Sequence, residues 1–289
     1  MAAVDANGIT IEYETIGSGE PLLLVMGLGG QLTDWPDDFV AELADQGFQV
    51  VVFDNRDAGL STEFDWEPPT QWKSLAGALA KRPPKAEYHL NDMAADAAGL
   101  LDALEIDSAH VVGMSMGGMI GQQLTIDHPS RVRSLTSIMS NTGDGKNGRP
   151  AAKLMAKIAR MEPPTRQNAA QRSVENFLLF SGPHYDREEH LLRAKVSVER
   201  SFRPVGVARQ TAAIMASPDR TVGLGAVTAP TLVVHGMVDT LVKPSGGIAT
   251  ARAVPGSRLV MYPDMGHDLP RPRWTEMIAA IHRNAERAG

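Results

Sequence analysis

His110-Val111-Val112-Gly113-Met114-Ser115-Met116-Gly117-Gly118-Met119-Ile120 is the stretch on which the fold turns. Apolar strand formers lead into G-x-S-x-G, and a helical pattern continues from there toward Asp127. Where a strand turns straight into a helix at a serine, that serine is forced into a strained backbone conformation that lifts its hydroxyl above the sheet. Gly113 and Gly117 leave out the Cβ atoms that would hold strand and helix apart. The helix N-terminus behind the serine favours developing negative charge. Taken as five letters, the motif equally suits a helix packed on a strand with a capping serine. Its position between strand and helix favours a nucleophile, Ser115.

Outward from this stretch, Leu22 to Met26, Val50 to Phe53, Leu135 to Met139, Thr231 to His235 and Leu259 to Tyr262 are short apolar runs of the kind buried on both faces. Near the start, Asn7-Gly8 supplies the positive φ angles of a tight hairpin turn, and Ile9, Ile11 and Tyr13 alternate with polar residues as an antiparallel edge strand would. Met93, Ala97, Leu100, Leu101 and Leu104 recur at helical spacing, as do Trp274, Met277, Ile278 and Ile281. Strands alternating with helices predict an α/β chain with a mostly parallel twisted sheet flanked by helices. The alternation breaks from about Asn141 to Thr221. Leu154, Met155, Ile158 and Met161 form one helical stripe there, Val174, Phe177 and Leu178 a second, and Leu191, Leu192 and Val196 a third. The expected organisation is a core of residues 1–140 and 222–289 with a helical cap inserted over 141–221. A long loop from Glu63 to Glu87, with Trp66 and Trp72, is expected near the same mouth.

At 289 residues, 43% of them hydrophobic, the chain can bury a substantial core, so one large domain with an insertion is expected. The formal net charge of -6 offers no broad cationic surface for phosphate backbones, which argues against a nucleic-acid partner. The absence of cysteine excludes disulfides, thiolate zinc sites and a cysteine nucleophile. No histidine spacing matches a zinc-protease helix, so neither a metal nor another cofactor is expected. MAAVDANGIT lacks the basic and apolar regions of a secretory signal, which predicts a cytoplasmic protein. The uncharged run from Val111 to Ile126 is too short and too polar to span a bilayer. Oligomeric state, monomer or homodimer, stays open.

LLLVMGLGG, FDNRDAGLS, VVGMSMGGMIGQ, APTLVVHGMVD and PDMGHDLP occur in the order found in the α/β-hydrolase family. The chain resembles that family, and within it bacterial esterases and methylesterases that carry a helical cap. The resemblance implies a serine hydrolase that cleaves carboxylic esters of a fairly apolar small molecule through an acyl-enzyme. Members with an aspartate nucleophile are disfavoured, because position 115 is serine.

A serine hydroxyl needs an imidazole to take its proton and return it to the leaving alkoxide. His267, in the loop between the last strand and the last helix, stands where the family places its base. Asp239, after the penultimate strand, stands where it places the acid that orients the base, and the order Ser115, Asp239, His267 is the order of the fold. Asp144 is the runner-up acid, while Asp264 and Asp268 lie too near His267 on its own loop. The oxyanion donors implied are the backbone N–H groups of Met116 and Leu28, although Met26-Gly27 replaces the family's usual His-Gly. Asp54-Asn55-Arg56-Asp57 matches an acidic-basic-Gly stretch whose role in the family resembles loop organisation. Met155, Ile158, Phe177 and Phe180 are expected to line the substrate pocket. Two other enzymatic readings use the same triad, namely perhydrolase or haloperoxidase-like chemistry and hydrolysis of a carbon-carbon bond. A non-catalytic small-ligand receptor is a third class.

Overall fold

The computed structural model describes residues 1–69 and 84–289. Of the loop expected from Glu63 to Glu87, residues 70–83, Trp72 among them, lie outside the described residues. The described residues form one eight-stranded sheet in the order β1 (Ala2–Ala6), β2 (Ile9–Ile16), β4 (Phe48–Phe53), β3 (Glu20–Val25), β5 (Ala109–Met114), β6 (Val132–Ile138), β7 (Thr231–Gly236) and β8 (Arg258–Tyr262). β1 and β2 form the antiparallel edge, joined at Asn7 and Gly8, both with positive φ. From β4 to β8 every pairing is parallel. The chain thus has the α/β-hydrolase fold, a mostly parallel sheet flanked by helices.

Both faces of the central strands are buried, which is why these strands read as continuous apolar runs. On one face Leu23, Val25, Val51, Phe53 and Val111 pack against α2 (Leu90–Ala103) and α3 (Met116–Asp127). On the other face Leu22, Leu24, Val50, Val52 and Val112 pack against α1 (Asp37–Asp45) and the C-terminal helix Trp274–Ala285. Leu22 to Leu24 are all fully buried, and each such side chain contributes about 1.5–3 kcal/mol relative to exposure.

Between β6 and β7 the chain runs through α4 (Ala152–Ile158), α5 (Ala169–Phe177), α6 (Arg187–Arg200), α7 (Pro204–Ala216) and α8 (Thr221–Leu224). Of the apolar stripe Leu191, Leu192 and Val196, Leu191 is half-buried, while Leu192 and Val196 face outward, 65% and 55% exposed. α6 buries Ala194 and Ser197 instead. Small residues on that face let the helix approach the turn at Gln31 to Asp34, where Gln31 donates to the Ser197 carbonyl at 2.7 Å and the Ser197 hydroxyl donates to Asp34 at 2.7 Å. Among the described residues no helix is long and apolar enough to cross a membrane.

Candidate active site

Ser115 stands between β5 and α3 with φ 56 and ψ −117, a left-handed conformation that costs a non-glycine residue energy. The close packing around it explains why the strain persists. A Cβ on Gly113 would sit 2.1 Å from the Gly117 carbonyl oxygen, and one on Gly117 would sit 1.9 Å from the Val25 carbonyl oxygen. Only glycine allows the helix to press this close to two strands, and the Ser115 N–H is tied to the Ile138 carbonyl at 2.9 Å.

Asp239 follows β7 and is held by its own turn. Its Oδ1 accepts the backbone N–H groups of Leu241 and Val242 at 2.8 and 2.9 Å, leaving Oδ2 for the imidazole. His235, at the end of β7, lies 2.7 Å from the Val242 carbonyl through Nε2, and this bond closes the same turn. Burial lowers the His235 pKa, opposed by that hydrogen bond and by the Asp239 charge. His267 lies on the loop after β8, 28 residues beyond Asp239 in sequence.

Three side chains from three separate loops meet here. His267 Nδ1 is 2.7 Å from Asp239 Oδ2, and His267 Nε2 is 2.9 Å from Ser115 Oγ. Asp239 and His267 are buried, whereas Ser115 keeps partial exposure. With Nδ1–H donating to the carboxylate, Nε2 is left as an acceptor for the serine hydroxyl. Such an array can take a proton from the hydroxyl as its oxygen attacks an electrophilic carbon.

Asp144 is elsewhere, with its carboxylate spent on the backbone N–H groups of Lys146 and Asn147 at 2.8 Å. The other histidines have separate partners. His110 is buried between Ser134 and Glu20, His184 pairs with Asp264, and His89 and His128 end helices.

Leu28 and Met116 flank the serine. A Cβ on Gly27 would stand 3.3 Å from that of Ser115, so the turn carrying Leu28 lies directly against Ser115. Met116 is the first residue of α3. The turn is shaped by Gly30 N–H donating to the Gly27 carbonyl at 3.2 Å, and by Gly29 N–H donating to Gln210 Oε1 at 2.8 Å.

The Asp54–Asp57 stretch organises these loops. Asp54 accepts the N–H of Leu32 at 2.7 Å and the Arg200 guanidinium at 2.6 Å; Asn55 donates to the Met26 carbonyl at 3.1 Å. Arg56 pairs with buried Asp96 through two bonds at 2.6 and 2.7 Å. Asp57 accepts Arg209 and the Tyr88 hydroxyl.

Of the expected pocket residues, Phe180 reaches the site, its ring standing edge-on to the His267 imidazole with centroids 5.8 Å apart. Phe177 packs on Phe180, Tyr185 and His190, one layer further out. Met155 is 46% exposed on α4, where Leu154 is the buried residue. A cavity of about 170 Å³ lies beside the glycine turn, walled by Gly29, Gln31, Ser197, Phe202 and Val207; Ser115 and His267 are not among its walls. Sequence reasoning missed Gln210, whose contact with Gly29 spans 181 residues and leaves no local signal.

Comparison with known proteins gives a consistent picture. The profile of the alpha/beta hydrolase fold family matches residues 20–270. The chain is 29% identical to rhodomycin D methylesterase DauP of Streptomyces sp. (strain C5), over 94% of each chain. It is 26% identical to 2-hydroxymuconate semialdehyde hydrolase of Pseudomonas sp. (strain CF600), over 94% of this chain and 87% of the other. The structure superposes on a thermophilic esterase from Thermogutta terrifontis with a TM-score of 0.72 at 24% identity, covering 100% of this chain and 99% of that one. On the strength of the profile match and the sheet order, the chain belongs to the alpha/beta hydrolase fold family.

Proposed function

We propose that this protein is a carboxylic ester hydrolase in which Ser115, His267 and Asp239 act as a catalytic triad. The observation that carries this reading is the continuous chain from Asp239 Oδ2 through the imidazole to Ser115 Oγ, with links of 2.7 and 2.9 Å. The methylesterase relative supports an ester as the substrate class.

In this reading Ser115 Oγ attacks the ester carbonyl carbon while His267 Nε2 takes its proton. The carbonyl oxygen becomes an oxyanion, which the N–H groups of Met116 and Leu28 receive; each such donor is typically worth about 3 kcal/mol in the transition state. The tetrahedral intermediate collapses, His267 returns the proton to the leaving alkoxide, and the acyl group stays on Ser115. Water then attacks the acyl-enzyme with His267 again as base, releasing the acid. Asp239 holds the imidazole tautomer and balances the imidazolium throughout. No metal or other cofactor has a part in these steps. Residues 141–221 act as a helical cap, with Phe180 and Phe177 as its apolar wall and Met155 and Ile158 further out.

The test is a series of p-nitrophenyl esters followed from mixing, with Ser115→Ala as control. A burst of p-nitrophenol from the parent, absent in the variant, together with fluorophosphonate labelling of the parent alone, is expected. Labelling that persists in the variant would remove Ser115 as nucleophile, and a parent inert toward every ester would favour a ligand receptor.

A further inference from the structure

His267 is held on a side that Asp239 does not touch. Its backbone N–H donates to the Phe180 carbonyl at 2.8 Å, bridging the β8 loop to the segment between α5 and α6. One residue on, Asp268 Oδ1 accepts two N–H groups at once, from Gly266 at 2.9 Å on its own loop and from Gly182 at 3.1 Å on the facing segment. The two backbones touch. A Cβ on Gly266 would stand 2.4 Å from the Phe180 carbonyl oxygen, and one on Gly182 would stand 2.4 Å from that of Asp264. At the rim, His184 and Arg273 both bind Asp264 at 2.9 Å.

Asp268 is 7% exposed, and its Oδ2 has no hydrogen-bond partner among the described residues. A buried carboxylate is costly unless it is paired or hydrogen-bonded. Here one oxygen of the residue next to His267 joins two chain segments.

We infer that Asp268 is a positioning residue for the base, clamping the His267 loop to Phe180–Gly182 and keeping a negative charge next to the imidazole. The insert between β6 and β7 and the base therefore move as one unit. This rests on the hydrolase reading above. Burial raises the Asp268 carboxyl, opposed by the N–H groups of Gly182 and Gly266 and by His267, while the Asp239 charge adds to the rise. Among the described residues, the other titratable groups facing this junction include Asp239 and His235 from the β7 side, Tyr185 with Asp186, Arg187 and Arg193 from the insert, and Asp264, His184 and Arg273 at the rim.

Two variants separate clamp from charge. Asp268→Ala removes the acceptor, so amides of residues 180–184 and 264–268 should exchange with solvent about tenfold faster or more, and kcat should fall with KM little changed. Asp268→Asn keeps Oδ1 as an acceptor and should leave that protection near the parent's. It removes the charge, however, so the acid limb of Ser115 labelling by a fluorophosphonate should move to lower pH and the plateau rate should drop. Unchanged amide exchange in Asp268→Ala, or a parent-like pH profile in Asp268→Asn, overturns the assignment. Hydrogen exchange needs no turnover. A parent that neither hydrolyses esters nor labels would therefore defeat the hydrolase reading, while faster exchange in Asp268→Ala would still show the clamp.

Discussion

Gln210 Oε1 accepts the Gly29 N–H at 2.8 Å while Gln210 Nε2 donates to the Arg56 carbonyl at 2.7 Å. One fully buried amide on α7 thereby ties the glycine turn beside Ser115 to the loop after β4. Replacing it with Leu takes a partner from the half-buried Gly29 N–H and from the buried Arg56 carbonyl and frees the turn that carries Leu28. Gln210→Leu should lower kcat on a short ester about tenfold or more, with KM nearly unchanged, because the donor is used in the transition state. Steady-state kinetics decide this; a change confined to KM would place Gln210 in substrate binding.

Asp239 and Asp144 make opposite predictions. Asp239→Asn should lower kcat by up to ~10⁴, because the carboxamide can stabilise the wrong imidazole tautomer. Asp144→Asn should stay within about twofold, since its carboxylate serves only an exposed turn. Initial rates at saturating ester compare the two, and the reverse ranking would move the acid to the segment after β6.

The Ser115 elbow and the buried strands were legible because each leaves a local mark, a glycine pair or an apolar run, whereas Asp239 and His267 were reached through the family resemblance; the strand order, with β4 ahead of β3, leaves no such mark. β1 was not anticipated as an element, since Ala2 to Asp5 are too exposed to leave an apolar alternation. The helix α6 was legible, but its packing face was not. Its apolar residues Leu192 and Val196 face outward, and its packing runs through Ala194 and Ser197, which no hydrophobic pattern marks. The anchors Gln210, Arg200 and Arg209 join residues more than a hundred positions apart, and such pairings have no local signature.

His190 gives the insert a pH dependence. Burial, and then the nearby Arg193 cation, lower its pKa to about 4, while its Nε2 lies 2.8 Å from Ser173 Oγ and its ring packs on Phe177. A histidine kept neutral by the fold takes up its proton more readily when unfolded. Its contribution to stability is therefore fully present above the unfolded value of about 6.5 and is lost as pH falls to the folded value. Thermal melts at stepped pH should show Tm falling across this window, with a shallower slope in His190→Gln. Equal slopes in parent and variant would show that His190 is not the group responsible.

The aromatic wall predicts a substrate preference. kcat/KM should rise from acetate toward octanoate esters, since each buried methylene contributes about 0.8 kcal/mol. Phe177→Ala, which removes the outer layer against Phe180, should flatten that rise without abolishing acetate hydrolysis. A profile that is flat in the parent and unaltered in the variant would mean the wall does not meet the acyl chain.

Ser115 and His267 lie 152 residues apart, and His267 sits on the loop after β8, the strand that pairs with β7. A ribosome making this chain exposes Ser115 long before His267 is synthesised. The serine therefore remains an ordinary hydroxyl while most of the polypeptide is already folding. With the proposed triad, reactivity switches on with the closure of the last parallel pairing, and labelling of Ser115 is expected to time the completion of the native topology.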